Sequence, residues 1–99
     1  MYARLSTYEA GSGDIDQLVE AFGGDDRLTQ MPGILDAFLL VNRSSGKAVT
    51  VTLWDSEETL AASAAAATRI RQEASGAAGG TIQVVEVYEV ALHLAEGRA

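Results

Sequence analysis

LLVNRSSGKAVTVTLWDSEETL, residues 39–60, carries a strand, a tight turn, a second strand ending in the only tryptophan, and a helix start in one run. The first strand spans residues 34–42, with Leu35, Ala37, Leu39 and Val41 on one face and Asp36, Phe38, Leu40 and Asn42 on the other. Arg43-Ser44-Ser45-Gly46 joins it to residues 47–55, and Gly46 suits the positive φ of a hairpin loop, so the two strands pair antiparallel. In the second strand Val49, Val51 and Leu53 share one face, and Thr50, Thr52 and Trp54 the other. Asp55 or Ser56 then caps a helix whose acidic first turn, Glu57-Glu58, suits the positive end of the helix dipole.

Downstream, that helix is expected to reach about Ser75, through an alanine-rich middle of good propensity and little bulk. Residues 76–80 read as a small-residue loop, residues 81–94 as a long last strand, and residues 95–99 as a loose tail. Upstream, residues 2–9 alternate as a strand, with Tyr2, Arg4, Ser6 and Tyr8 opposite Ala3, Leu5 and Thr7. Asp14 with Gln17 forms a capping box before Ile15, Leu18, Val19 and Phe22, which fall at helical spacing. Gly23-Gly24 predicts a break before a second helical piece over residues 25–30, and Pro32-Gly33 closes the region.

The order strand, helix, strand, strand, helix, strand is the split βαβ arrangement of ferredoxin-like α+β folds, βαββαβ. It predicts a four-stranded antiparallel sheet with two helices on one face. The apolar pattern sets the helices over Leu5, Leu35, Leu39, Val49, Val51 and Leu53. Tyr8, Phe38, Leu40, Trp54 and Tyr88 are then left in water on the opposite face, and such a patch marks an interface.

Composition narrows the chemistry. The 99 residues are expected to form one domain, 1–99, burying about 60–70% of its unfolded surface. With no cysteine and one histidine, the chain offers no thiolate chemistry and too few soft ligands for a transition metal, so no metal is expected. A net charge of −7 with scattered basic residues argues against nucleic acid as a partner. No stretch approaches the roughly 20 apolar residues of a membrane span, and residues 1–9 alternate instead of pairing a basic with an apolar region. A cytoplasmic location is therefore expected.

Met31-Pro32-Gly33, the strand after it, Arg43-Ser44-Ser45-Gly46-Lys47 and Thr52-Leu53-Trp54-Asp55-Ser56-Glu57-Glu58 together resemble the antibiotic biosynthesis monooxygenase-like family. The resemblance runs over the whole chain in order and length. It implies a dimeric α/β barrel, in which two sheets pack face to face and the last strand often reaches over the partner. It also implies a choice among activities: cofactor-independent oxidation of polyketide-like phenols, haem degradation or muconolactone-type isomerisation. Haem-degrading members carry an axial histidine on the helix after the tryptophan and an asparagine in the first strand. Here that helix has no histidine, and Arg4, Ser6 and Tyr8 stand in the first strand, which disfavours haem oxygenase activity.

Candidate site residues each have a structural and a functional reading. Trp54 either anchors the sheet or stacks on a planar substrate. Tyr88 either packs at a dimer face or donates to a substrate oxygen as a neutral phenol. Asn42 either caps its turn or bonds a substrate hydroxyl or carbonyl. Arg4 either pairs with Glu86 across neighbouring strands or binds the substrate's oxygen. Tyr8 and Phe38 belong to the same aromatic face and are candidate substrate contacts. His93 has the pKa of a general base but lies near the end of the last strand. Asp14, Asp16, Glu20, Asp25 and Asp26 read as a solvated helix face, and Gly79-Gly80 as a turn. The expected function is cofactor-independent oxygenation of a planar aromatic, with Trp54, Tyr88 and Asn42 catalytic and Arg4, Tyr8 and Phe38 binding substrate. The alternative is a non-enzymatic homodimer that binds a small ligand or serves a structural role.

Overall fold

The computed structural model describes residues 1–9, 15–24, 26–77 and 81–95. In chain order the elements are β1 (Tyr2–Glu9), α1 (Ile15–Gly23), a 3-10 turn (Leu28–Gln30), β2 (Ile34–Asn42), β3 (Lys47–Trp54), α2 (Glu57–Ala62), α3 (Ala64–Ala77) and β4 (Thr81–Glu89). The four strands form one antiparallel sheet in the order β2-β3-β1-β4, the ferredoxin-like α+β arrangement that the element order implies. Asp14, Asp25 and Gly79-Gly80, to which the sequence assigns a cap, a helical piece and a turn, lie outside the described residues.

Register decides which side chains share a face. Tyr2, Arg4, Ser6 and Tyr8 of β1 stand opposite Trp54, Thr52, Thr50 and Ala48 of β3, and Thr52, Thr50 and Ala48 stand opposite Ala37, Leu39 and Val41 of β2. The helices cover this set, and the expectation drawn from the apolar pattern is therefore inverted. Tyr8 and Trp54, expected in water, are 1% and 0% exposed. Leu5, Val49, Val51 and Leu53, expected under the helices, lie half-buried on the open face. Leu39 is inside as expected, packed on the core of Tyr8, Ile15, Leu18, Ala48 and Ala74. Leu35 is exposed because the pairing slips by one residue between Ile34 and Asp36.

The inversion has a physical cause. The buried stripe of α3 includes Ala67, Ile70, Arg71 and Ala74, small residues at two of four positions. Space beneath it must be filled from the sheet, and large rings fill it better than valines. Each ring also finds a partner for its polar end: Trp54 Nε1 donates to Thr52 Oγ1 at 2.9 Å, and the Tyr8 hydroxyl meets Thr50 Oγ1 at 3.3 Å. Tyr8 meets Phe22 of α1 edge to face, with centroids 5.7 Å apart.

Three further details differ from expectation. The helix after Trp54 is broken at Ser63, whose hydroxyl turns back to the Leu60 carbonyl at 2.7 Å. Of the 25–30 segment, the described residues 26–30 yield only the 3-10 turn over the last three. The last strand stops at Glu89, followed by a Val90 N–H bond to the Met1 carbonyl at 2.9 Å. Ser56 caps α2 as its sequence suggests, accepting from the Thr59 amide at 3.2 Å. Gly33 and Gly46 both take positive φ, and the Gly33 carbonyl accepts from Asp55 at 2.9 Å, tying the start of β2 to the end of β3.

Candidate functional site

Between the helix layer and the β2 side of the sheet lies a cavity of about 450 Å³. Val19 and Phe22 of α1, Leu28 of the 3-10 turn, Leu39 and Val41 of β2 and Ile70 of α3 give it apolar walls, with Thr50 at its floor and Asp26 near its rim. This volume falls within the range of ordinary small-molecule sites. Its walls are drawn from α1, which ends at Gly23, from the 3-10 turn and from the facing parts of β2, β3 and α3. An exposed ion pair, Arg27 to Glu73 at 2.7 Å, ties the segment between α1 and β2 to α3.

Phe22, Leu28, Thr50 and Ile70 also wall a second, smaller recess of about 10 Å³. Its remaining lining is polar: Arg4, Ser6, Thr52 and Arg71, with Ala67. Arg4 and Arg71 are 4% and 8% exposed. Arg4 Nη2 donates to the Leu60 carbonyl at 2.8 Å and to Ser63 Oγ at 3.2 Å, so the guanidinium caps the carbonyl end of α2. Its carbon lies 5.6 Å from the Trp54 ring centroid, a cation–π distance. Arg71 Nη2 donates to Thr68 Oγ1 at 3.0 Å. Burial, reinforced by the Arg71 cation, holds Arg4 below its ordinary pKa; burial does the same to Arg71, partly offset by Tyr8. Both remain cations at neutral pH. Tyr8 is pushed up by burial, against the bond to Thr50 and the Arg71 charge, so its phenol is neutral.

The structure brings together only some of the residues singled out in the sequence. Arg4 lines the recess. Trp54 lies fully buried behind it, bordering neither cavity, and touches the site through Arg4. Tyr8 likewise sits one layer below, reaching the site through Thr50 and Phe22. Phe38 borders the large cavity but is largely exposed on the edge strand. Tyr88 is on the open sheet face, opposite Ala3, where the hydrogen bond and charge of Glu86 raise its pKa. Asn42 Oδ1 accepts from the amides of Ser44 and Ser45 and from the Ser44 hydroxyl, holding the hairpin turn. Arg4 and Glu86 do not pair: Arg4 stands opposite Val87 and Glu86 opposite Leu5, on opposite faces. His93 is exposed beyond the last strand. Asp16 pairs with Arg43 at 2.8 Å in solvent. Among the described residues, no group of three or more His, Asp or Glu side chains could hold a metal ion.

Comparison with known proteins places this architecture. No family model matches the sequence. Curated relatives from Mycobacterium tuberculosis, both uncharacterized, are 34% identical over 96 residues; the match covers 94% of this chain and 42% of theirs. The chain thus spans less than half the length of the curated relatives it matches. Among solved structures, a candidate antibiotic biosynthesis monooxygenase from Chloroflexus aurantiacus superposes with a TM-score of 0.71 at 16% identity, covering 97% of this chain and 98% of the other. The chain has the antibiotic biosynthesis monooxygenase-like fold. The same fold is shared by SnoaB, a cofactor-independent oxygenase from Streptomyces nogalater, at a TM-score of 0.70 and 12% identity over 96% of this chain and 98% of that one. MhuD, a haem degrader from Mycobacterium tuberculosis, matches at 0.70 and 22% identity over 96% of this chain and all of the other.

Within this monooxygenase-like fold, sequence reasoning missed Arg71, Phe22, Thr50, Thr52 and Ser63. A signal for Arg71 was present: Ala67, Ile70, Arg71 and Ala74 recur at the spacing of one helix face. The threonines were on the face with Trp54, which the apolar pattern assigned to solvent. No helix among the described residues is long and apolar enough to cross a membrane.

Proposed function

We propose that the cavity between helices and sheet is a small-molecule site, and that the protein oxygenates a planar aromatic there without a cofactor. The observation that carries this reading is the apolar cavity of about 450 Å³ that shares Phe22, Leu28, Thr50 and Ile70 with a buried cationic recess. Likeness in fold to a cofactor-independent oxygenase supports it by analogy. In such a reaction the substrate supplies the electrons: a ring methylene becomes a carbonyl, one atom of dioxygen enters the product, and the other leaves as water. The apolar walls exclude water and hold the ring plane, and Arg4 faces the substrate's oxygen. Trp54 acts from behind by fixing the Arg4 guanidinium. Tyr88 and Asn42 stand away from the cavity of this protomer, and the reading assigns them no step in it.

Oxygen uptake with anthrone-like phenols tests the proposal. Wild type is expected to consume oxygen in step with substrate, and Val19→Trp, which narrows the cavity mouth at a half-exposed position, to abolish uptake while remaining folded. No turnover by wild type sinks the oxygenase reading; binding that persists without turnover leaves the ligand-binding alternative.

A homodimer through the open sheet face belongs to the same proposal. Phe38, Leu40, Val84 and Tyr88 are exposed there around half-buried Leu5, Val49, Val51 and Leu53, an apolar field of the kind that marks an interface. Light scattering is expected to give twice the chain mass for wild type and the single chain mass for Leu40→Lys. A stable wild-type monomer at micromolar concentration refutes the dimer.

A further inference from the structure

Each arginine of the recess keeps one donor that no described residue satisfies. Arg4 Nη1 and Arg71 Nε are both buried and have no hydrogen-bond partner. Among the described residues, none lining the recess is a carboxylate, although the chain as a whole carries a net charge of −7. A buried cation without a counter-charge is costly, and a buried donor left unpaired adds to that cost. Exposed ion pairs are made elsewhere, by Arg27 with Glu73 and by Arg43 with Asp16, so acidic partners were available to the fold but stand outside this recess. The Arg4 guanidinium is fixed by the α2 carbonyl end and Trp54, and Arg71 by Thr68, so both unpaired donors are held in place before any ligand arrives.

We propose that Arg4 and Arg71 form an anion hole for the ligand, so that the cleft prefers a planar aromatic acid to its neutral counterpart. Its ring lies in the large apolar cavity. One carboxylate oxygen enters the small recess, whose volume of about 10 Å³ suits a single oxygen or water, while the ring stays between Phe22 and Leu39. The Arg4 Nη1 and Arg71 Nε donors then converge on that anion, with the Ser6, Thr50 and Thr52 hydroxyls of the lining beside them. This rests on the reading of the cleft as a ligand site, and it is independent of whether that ligand is oxidised.

The test compares 2-naphthoate, an anion at pH 7, with 2-naphthamide, its neutral counterpart of nearly equal shape, by calorimetry on the wild-type protein. The acid is expected to bind at least about tenfold more tightly, the difference a charge-assisted pair makes over a neutral one. The Arg71 Nε–H resonance is expected to shift on adding the acid and not the amide. Arg71→Gln is expected to bring the two affinities together, and Arg71→Lys to retain part of the preference. Equal binding of acid and amide by wild type, or an unmoved Arg71 resonance, overturns the anion hole and leaves the cleft standing. Failure of both molecules to bind at millimolar concentration overturns the anion hole and the cleft together. Should Arg71→Gln fail to fold, the wild-type affinity ratio and resonance still decide.

Discussion

Replacing Trp54 by alanine asks whether this ring is core or pocket wall. The side chain is fully buried, and an indole of this kind removes about 150–250 Å² from water. At about 25 cal/mol per Å² that burial is worth roughly 4–6 kcal/mol, close to the roughly 3–5 kcal/mol typical of Trp→Ala in cores. Loss of the Arg4 cation–π contact adds about 0.5–2 kcal/mol, because the guanidinium stays buried without the ring. We expect Trp54→Ala to lose about 4 kcal/mol or more, which lowers Tm by ~15 °C or more for a chain of this size. Trp54→Phe, which keeps a ring but loses the N–H bond to Thr52, should lose about 1–2 kcal/mol. Urea unfolding followed by far-UV circular dichroism measures both, since the variants lack the only indole. The scans are run at two protein concentrations about a hundredfold apart to separate folding from self-association. Trp54→Ala within ~0.5 kcal/mol of wild type refutes the core assignment, as does a loss confined to the low concentration.

Gly33→Ala should lose at least ~2 kcal/mol by the same urea assay: φ is +83°, and an added Cβ would meet the Thr59 side chain at 2.5 Å, close to its backbone. Alkaline difference spectra should show two phenols, Tyr8 and Tyr88, ionising later than an ordinary tyrosine, and Tyr8→Phe should remove the one that burial delays. Because burial raises the Tyr8 pKa in the folded state, its contribution to stability is fully present below about pH 10 and is lost as pH rises through the folded value. A wild-type and Tyr8→Phe stability difference that stays constant between pH 9 and pH 12 would contradict this. Arg43→Ala should cost under ~1 kcal/mol, since the Asp16 pair is solvated, and a larger loss in thermal scans would show that the pair holds α1 to the hairpin.

The order of elements and the hairpin were legible in local sequence because turn residues, caps and alternation are short-range signals. Gly46 in its positive φ, Ser56 as a cap and Asn42 in its turn all follow from neighbours within a few residues. Alternation also sorted the residues of β1 and β3 correctly into two sets, with Arg4, Ser6 and Tyr8 together and Thr50, Thr52 and Trp54 together. It did not say which set faces the helices, because the usual rule of apolar residues inside assumes that the other face meets water. Here the open face is the more aliphatic one, and the covered face mixes rings with threonines and arginines.

The sequence by itself therefore determined the ferredoxin-like α+β order, the strand pairing of the hairpin and the partition of β1 and β3 into two faces. Only the tertiary structure decided the side on which α1, α2 and α3 lie, since that depends on the volume left beneath an alanine-rich helix and on long-range pairing of polar groups. The same packing carries Arg71 across 67 residues of chain to the recess lined by Arg4. No local pattern encodes that meeting, because the distance between two side chains on different elements is fixed by the fold that both belong to.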